Sequence, residues 1–204
     1  MTAPLPEHPP VEPTEHAPRV TPVAMEDIRP EWMSILSRIP GDGLKGKGFP
    51  RYVLGTIMLD PDTTGPFLDY WVTCKTKMAL TVREQELVIL RMGCLYRSNY
   101  VWKHHVLVGR EFGITEEEMG AIEEARYEGF IAREESLLAL TDELVDARTI
   151  RADVWERYRG PLKDRELVDL VSLVSQYVLF ALMNNAMQVQ IEEALSEIPG
   201  LHPT

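Results

Sequence analysis

From Glu26 onward the apolar residues recur every three to four positions, and stretches rich in Val and Ile are interleaved with Leu, Met, Glu and Arg rather than alternating as strands do. The pattern predicts an all-α chain. Asp60-Pro61 opens a helix running through Tyr70 to Met78. Thr81 with Glu84, and Thr115 with Glu118, have the spacing of capping boxes, in which each hydroxyl and each carboxylate satisfies a backbone N–H of the first turn. Gly113 suits the left-handed position that closes a helix. These signals predict consecutive helices over Thr81 to Tyr96, Ser98 to Phe112 and Thr115 to Ala125, then one over Glu134 to Ala147 and two more over Lys163 to Phe180 and Met183 to Ser196.

Residues 1–24 break the pattern. Seven prolines (Pro4, Pro6, Pro9, Pro10, Pro13, Pro18 and Pro22) stand among Glu and Thr with almost no large apolar side chain, so the segment reads as an extended arm before a single domain over 25–204. A weak echo appears 80 residues apart: Glu86-Leu87-Val88 against Glu166-Leu167-Val168, and His104-His105 against Asn184-Asn185. If it is structural, two helical hairpins form half-repeats.

With 204 residues the chain suffices for one sizeable core. Its formal net charge of −11 disfavours nucleic acid and anionic membrane surfaces as partners. The most apolar stretch, Leu170 to Met183, reads as a buried helix rather than a span, and no secretory pattern opens the sequence. Only Cys74 and Cys94 are present, too few for a disulfide framework or zinc knuckle, so a cytoplasmic protein without metal or other cofactor is expected.

The candidate chemistry gathers at 80–122. Of five histidines only His104 and His105 lie well inside the folded region. Neighbouring helical residues point about 100° apart, so the two imidazoles serve different partners. His104 stacks over Tyr100, and His105 shares a face with Val101 and Ser98. In a helical hairpin Glu86 can meet His105, fix its tautomer and raise its basicity; a capping acid and a hydrogen-bonded core histidine is the alternative. Arg91, in an apolar stretch, needs a carboxylate or an anionic ligand. Cys94 reads as core, and Gly41, Gly43 and Gly46, which match GxGxxG without a strand before them, as a turn.

The run LTVREQELVILRMGCLYRSNYVWKHHVLVGREFGITEEEMGAI, residues 80–122, resembles the core of the carboxymuconolactone decarboxylase family, which includes the alkylhydroperoxidase D-like proteins. The resemblance implies a helical bundle and homo-oligomers, commonly trimers or hexamers, although a dimer stays open. Peroxidase members carry a Glu, a CxxC pair and a His four residues beyond. At those positions stand Glu86, Ser98, Val101 and His105, so the disulfide chemistry lacks its sulfurs. The family's decarboxylase branch then implies a cofactor-free lyase or isomerase moving protons on a small carboxylated or lactone substrate. In it His105 acts as base, Glu86 orients it, Tyr100 or Ser98 binds an oxyanion, Arg91 or His104 holds a carboxylate and Trp102 borders the substrate. The competing expectations are a non-catalytic binding or assembly scaffold of the same fold and, last, a thiol-dependent hydroperoxide reductase using Cys94 or Cys74.

Overall fold

In the computed structural model, which describes residues 17–39 and 49–202, the regular elements among those residues are all helical. They are α1 (Pro30–Leu36), α2 (Arg51–Ile57), α3 (Pro61–Lys77), α4 (Val82–Leu95), α5 (Asn99–Glu111), α6 (Glu116–Glu123), α7 (Ala132–Asp146), α8 (Ala152–Tyr158) and α9 (Asp164–Met187). Single 3-10 turns lie at Met25–Asp27 and Glu193–Leu195. His8, His16, most of the proline-rich arm and the glycines at 41, 43 and 46 lie outside the described residues.

The start signals act as local chemistry requires. Asp60 accepts from the backbone of Asp62 and Thr63, and both capping boxes close. Gly113 adopts φ +78°, a conformation that costs glycine nothing and lets α5 turn directly towards α6.

Helix α4 is the hub, packing against α5, α6, α7 and α9. Val88, Ile89 and Met92 feed a core shared with α1, α2, α3 and α9, while Leu87 and Leu90 feed a second cluster with Trp102, Ile122 and Leu138. A helix buried on so many sides must satisfy its polar residues internally. Arg133 does this by bridging Glu84 at the start of α4 and Glu166 at the start of α9.

The C-terminal helices differ from the expected pair. Helix α9 runs unbroken through Phe180 and Met183 and ends at Gln188, whose left-handed φ of 51° is followed by extended chain. Nothing between Phe180 and Met183 removes a backbone donor or favours a turn, so the ladder continues. Ser98, at the turn of the first hairpin, would correspond to Val178, which is mid-helix; the second hairpin is therefore not formed. The apolar reach is also longer than the 14 residues expected: α9 has 24 residues and is apolar enough to cross a membrane by length and composition, with half of its most apolar window buried inside the bundle.

Residues 17–24 lie against the body rather than projecting from it. Arg19 N–H donates to Met187 and Val23 N–H to Gly55. A Cβ on Gly55 would stand 2.5 Å from the Val23 carbonyl oxygen, a backbone atom that cannot swing aside. Gly55→Ala is expected to cost about 1–3 kcal/mol, the usual penalty for overpacking, and to release residues 17–24 to protease. Denaturant unfolding with limited proteolysis checks this; an unchanged midpoint and cleavage pattern would contradict it.

Candidate active site

The α4–α5 hairpin turns at Arg97 (φ 49°) and Ser98, which caps α5 by accepting from Val101 N–H. Its antiparallel arms bring Glu86 and His105 together: Glu86 Oε2 lies 2.6 Å from His105 Nδ1. Two further helices complete the group. Lys75, near the end of α3, donates to Glu86 Oε1 at 2.6 Å. Tyr177, from the middle of α9, places its hydroxyl 3.2 Å from His105 Nε2.

Burial alone would push the Glu86 carboxyl up, but the charge of the Lys75 ammonium and the hydrogen bonds from His105 and Lys75 outweigh it and hold the group well below the usual carboxylate range. Glu86 is thus an anion with no proton to give, so His105 Nδ1 must be the donor in the bond between them. Burial likewise pushes the His105 pKa below its usual 6.5; Glu86 resists, and Lys75 and His104 reinforce the fall. The consequence is a neutral imidazole whose Nε2 lone pair faces Tyr177. Tyr177 itself is held far above the usual phenol value by burial and by the Glu86 charge, so its hydroxyl stays protonated.

His104 faces another partner, as the helical geometry requires. Its Nε2 lies 2.6 Å from Glu192 Oε2, and Glu192 Oε1 accepts from Tyr100 O–H at 2.9 Å. The Tyr100 and His104 rings stack with centroids 4.5 Å apart. Burial raises the Tyr100 pKa well above its usual value, and the Glu192 carboxylate adds to the shift.

Both groups border one cavity of about 120 Å³. Its remaining walls are largely apolar, among them Leu54, Trp71, Val101, Val108 and Phe180. His105 is 17% exposed at the side chain while Glu86 is fully buried behind it, so the imidazole is the group that meets a ligand.

Of the residues expected at the site, Glu86, His105, Tyr100 and His104 border this cavity. Ser98 does not; its hydroxyl is spent on the α5 cap in a fully buried position. Arg91 points to the opposite side of α4, bonded to Asp142 at 2.5 Å and to the Ile122 carbonyl, an ion pair rather than a carboxylate clamp. Trp102 packs in the second core cluster, because α5 turns that face away from His105. Cys94 sits beside Arg91, and burial pushes its thiol up to about 12, which leaves it a poor nucleophile.

Lys75, Tyr177, Glu192, Trp71 and Asn184 were not legible as site residues. Lys75 looks like an ordinary cation near a helix C-terminus, and Tyr177 lies in an apolar run. Among the described residues no group of three or more His, Cys, Asp or Glu is placed to hold a metal ion.

Residues 62–143 match the model of the carboxymuconolactone decarboxylase family, spanning Lys75, Glu86 and His105. Over that segment, from α3 into α7, the chain resembles the family. The chain has the fold of several solved structures. The debrominase Bmp8 superposes with a TM-score of 0.72 at 14% identity, covering 86% of this chain and 93% of its own. A peroxidase-related protein from Silicibacter sp. TM1040 gives 0.68 at 13%, covering 83% and 91%. A protein of unknown function from Agrobacterium tumefaciens, connected by name with AhpD and antioxidant defence, gives 0.60 at 17%, covering 65% and 92%. At such identities the likeness establishes the alkylhydroperoxidase D-like fold alone. No curated protein matches the chain.

Proposed function

We propose that this protein is an enzyme of the carboxymuconolactone decarboxylase type that transfers protons on a small, uncharged, enolisable substrate, as an isomerase or lyase. The observation that carries the reading is the relay Lys75–Glu86–His105–Tyr177 ending in an apolar cavity. A neutral imidazole with its tautomer fixed by a buried carboxylate is poised as a base. In the step it supports, His105 Nε2 takes a proton from the carbon beside a carbonyl. The C–H pair moves into the carbon–carbon bond and the carbonyl pair onto oxygen, giving an enolate. Tyr177 O–H turns from Nε2 to that oxygen, and the imidazolium returns the proton at another carbon of the conjugated system. Loss of CO₂ asks first for a held carboxylate. Arg91 lies elsewhere and the Lys75 ammonium is already engaged by Glu86, so an uncharged substrate and isomerisation fit better than decarboxylation of an acid.

The test is a thermal-shift panel of lactones, cyclic ketones and carboxylates of about six heavy atoms, since a ligand of the native state raises its Tm by mass action. Neutral compounds should stabilise and carboxylates of the same size should not. Stabilisation by carboxylates alone would contradict the reading.

A pH dependence follows. The base must be unprotonated, and its pKa lies below 6.5, so kcat/KM should rise with pH on an acid limb centred below 6.5 and be flat above it. The native state binds fewer protons than the unfolded chain in that window, so stability falls in the same direction as pH is lowered. A limb centred above 6.5 would show that His105 is not the titrating base.

A further inference from the structure

Four buried polar side-chain atoms find no hydrogen-bond partner among the described residues: Trp71 Nε1, Gln85 Oε1, Gln176 Nε2 and Asn184 Oδ1. A buried polar atom without a partner is costly, and natural folds keep few of them. The two glutamines lie away from the cavity, whereas Trp71 and Asn184 both line it. Trp71 is 7% exposed and Asn184 3%, so neither can discharge its need into bulk water.

Their placement is specific. Tyr177, Phe180 and Asn184 recur at three- and four-residue intervals on α9 and present one face to the cavity. Trp71, from α3, packs edge-on against Phe180 with centroids 5.3 Å apart, and its indole N–H faces the Tyr177 hydroxyl without a hydrogen bond of normal geometry. At one end of the cavity the Trp71 indole and the Tyr177 hydroxyl therefore stand together next to the His105 base. Asn184, seven residues and about 10 Å of helix rise beyond Tyr177, borders the other end, its Oδ1 buried and without a partner. Between them the wall is apolar. The neighbouring Asn185 differs: its amide is bound to the Tyr96 carbonyl at 2.8 Å and serves the fold.

We propose that Trp71 and Asn184 are the recognition pair of this site. The ligand class is a compact uncharged hydroxy-ketone: a carbonyl oxygen received by Trp71 N–H and Tyr177 O–H, an apolar body, and a hydroxyl donating to Asn184 Oδ1. The size follows from the volume, because a cavity of roughly 150 Å³ holds a benzene-sized molecule and this one, at about 120 Å³, holds at most a single ring. The inference rests on the reading of the cavity as a substrate site, but it concerns binding and stands or falls separately from proton transfer.

The experiment measures binding of cyclohexanone and the three positional isomers of hydroxycyclohexanone to the intact chain by calorimetry, with Tm recorded for each protein. Wild type should bind at least one hydroxy isomer about tenfold tighter than cyclohexanone, the worth of one good buried hydrogen bond. Asn184→Leu, nearly equal in volume, should abolish that preference while keeping the affinity for cyclohexanone. It should also raise the Tm of the ligand-free protein by a few degrees, since it removes an unsatisfied polar atom. Trp71→Phe should weaken all four ligands alike. His105→Gln should retain the hydroxy preference while losing turnover, so intact recognition with no turnover in wild type would reject the catalytic reading and leave this one standing. The proposal is overturned if wild type binds none of the four, if it does not discriminate, or if Asn184→Leu keeps the preference or lowers Tm.

Discussion

His105→Gln lowers the rate of proton exchange on an enolisable ligand by about 100- to 10,000-fold, the usual worth of a positioned general base. Its Tm falls by only a few degrees. Glutamine keeps a polar group within reach of Glu86 but has no lone pair basic enough to take a carbon-bound proton. The structure sets this asymmetry, because His105 presents its imidazole edge to the cavity while the fully buried Glu86, paired with Lys75, holds the charge behind it. Deuterium uptake into a bound cyclic ketone, followed by NMR, measures the rate, and thermal unfolding measures stability. Equal and large losses of both would identify a structural histidine. An unchanged exchange rate would assign the base elsewhere.

The largest effect on stability is expected at Lys75. Lys75→Met leaves Glu86 as a fully buried anion facing only a neutral imidazole, and removing one partner from a buried ion pair typically costs about 3–5 kcal/mol. For a chain of this length that lowers Tm by roughly 10 °C. Lys75 also helps hold the His105 pKa down, so the acid limb of the activity profile should move upward in the same variant. The double substitution Lys75→Met, Glu86→Gln should recover part of the stability, because no buried charge is then left uncompensated, while losing the activity. Urea unfolding of both proteins at neutral pH tests this. A single variant as stable as wild type would mean that Glu86 is not held as a buried anion.

Acid should act through the same pair. The Lys75 ammonium and the hydrogen bonds on Glu86 hold its folded-state pKa below the usual 4.5. The contribution of Glu86 to stability is present above 4.5 and is lost as pH falls from there through the folded-state pKa.

Much of the hairpin was legible in sequence, because it rests on local rules. The Thr81 and Thr115 caps, the glycine at 113 and the helical period fixed the lengths and the turn, and a hairpin of those lengths carries Glu86 to His105. The stacking of His104 on Tyr100 follows from a four-residue spacing. Other assignments depended on which way each helix faces once packed, and periodicity does not state that. Arg91 and Trp102 belong to the second core, and Ser98 acts as a cap, a role that looks the same in sequence as an oxyanion donor. Lys75 and Tyr177 come from helices that meet α4 and α5 only in three dimensions. The short helices α1, α2 and α8 lack side-chain caps and span seven residues each, too little for a periodic signal.

The protonation state of the His105 ring, read by nitrogen NMR of the labelled, ligand-free protein at neutral pH, decides whether the cavity holds a base. One protonated and one bare nitrogen are expected, with the proton on Nδ1 towards Glu86 and a titration midpoint below 6.5. A doubly protonated ring at neutral pH, or a proton on Nε2, would leave no base at the cavity and contradict the proposed proton transfer.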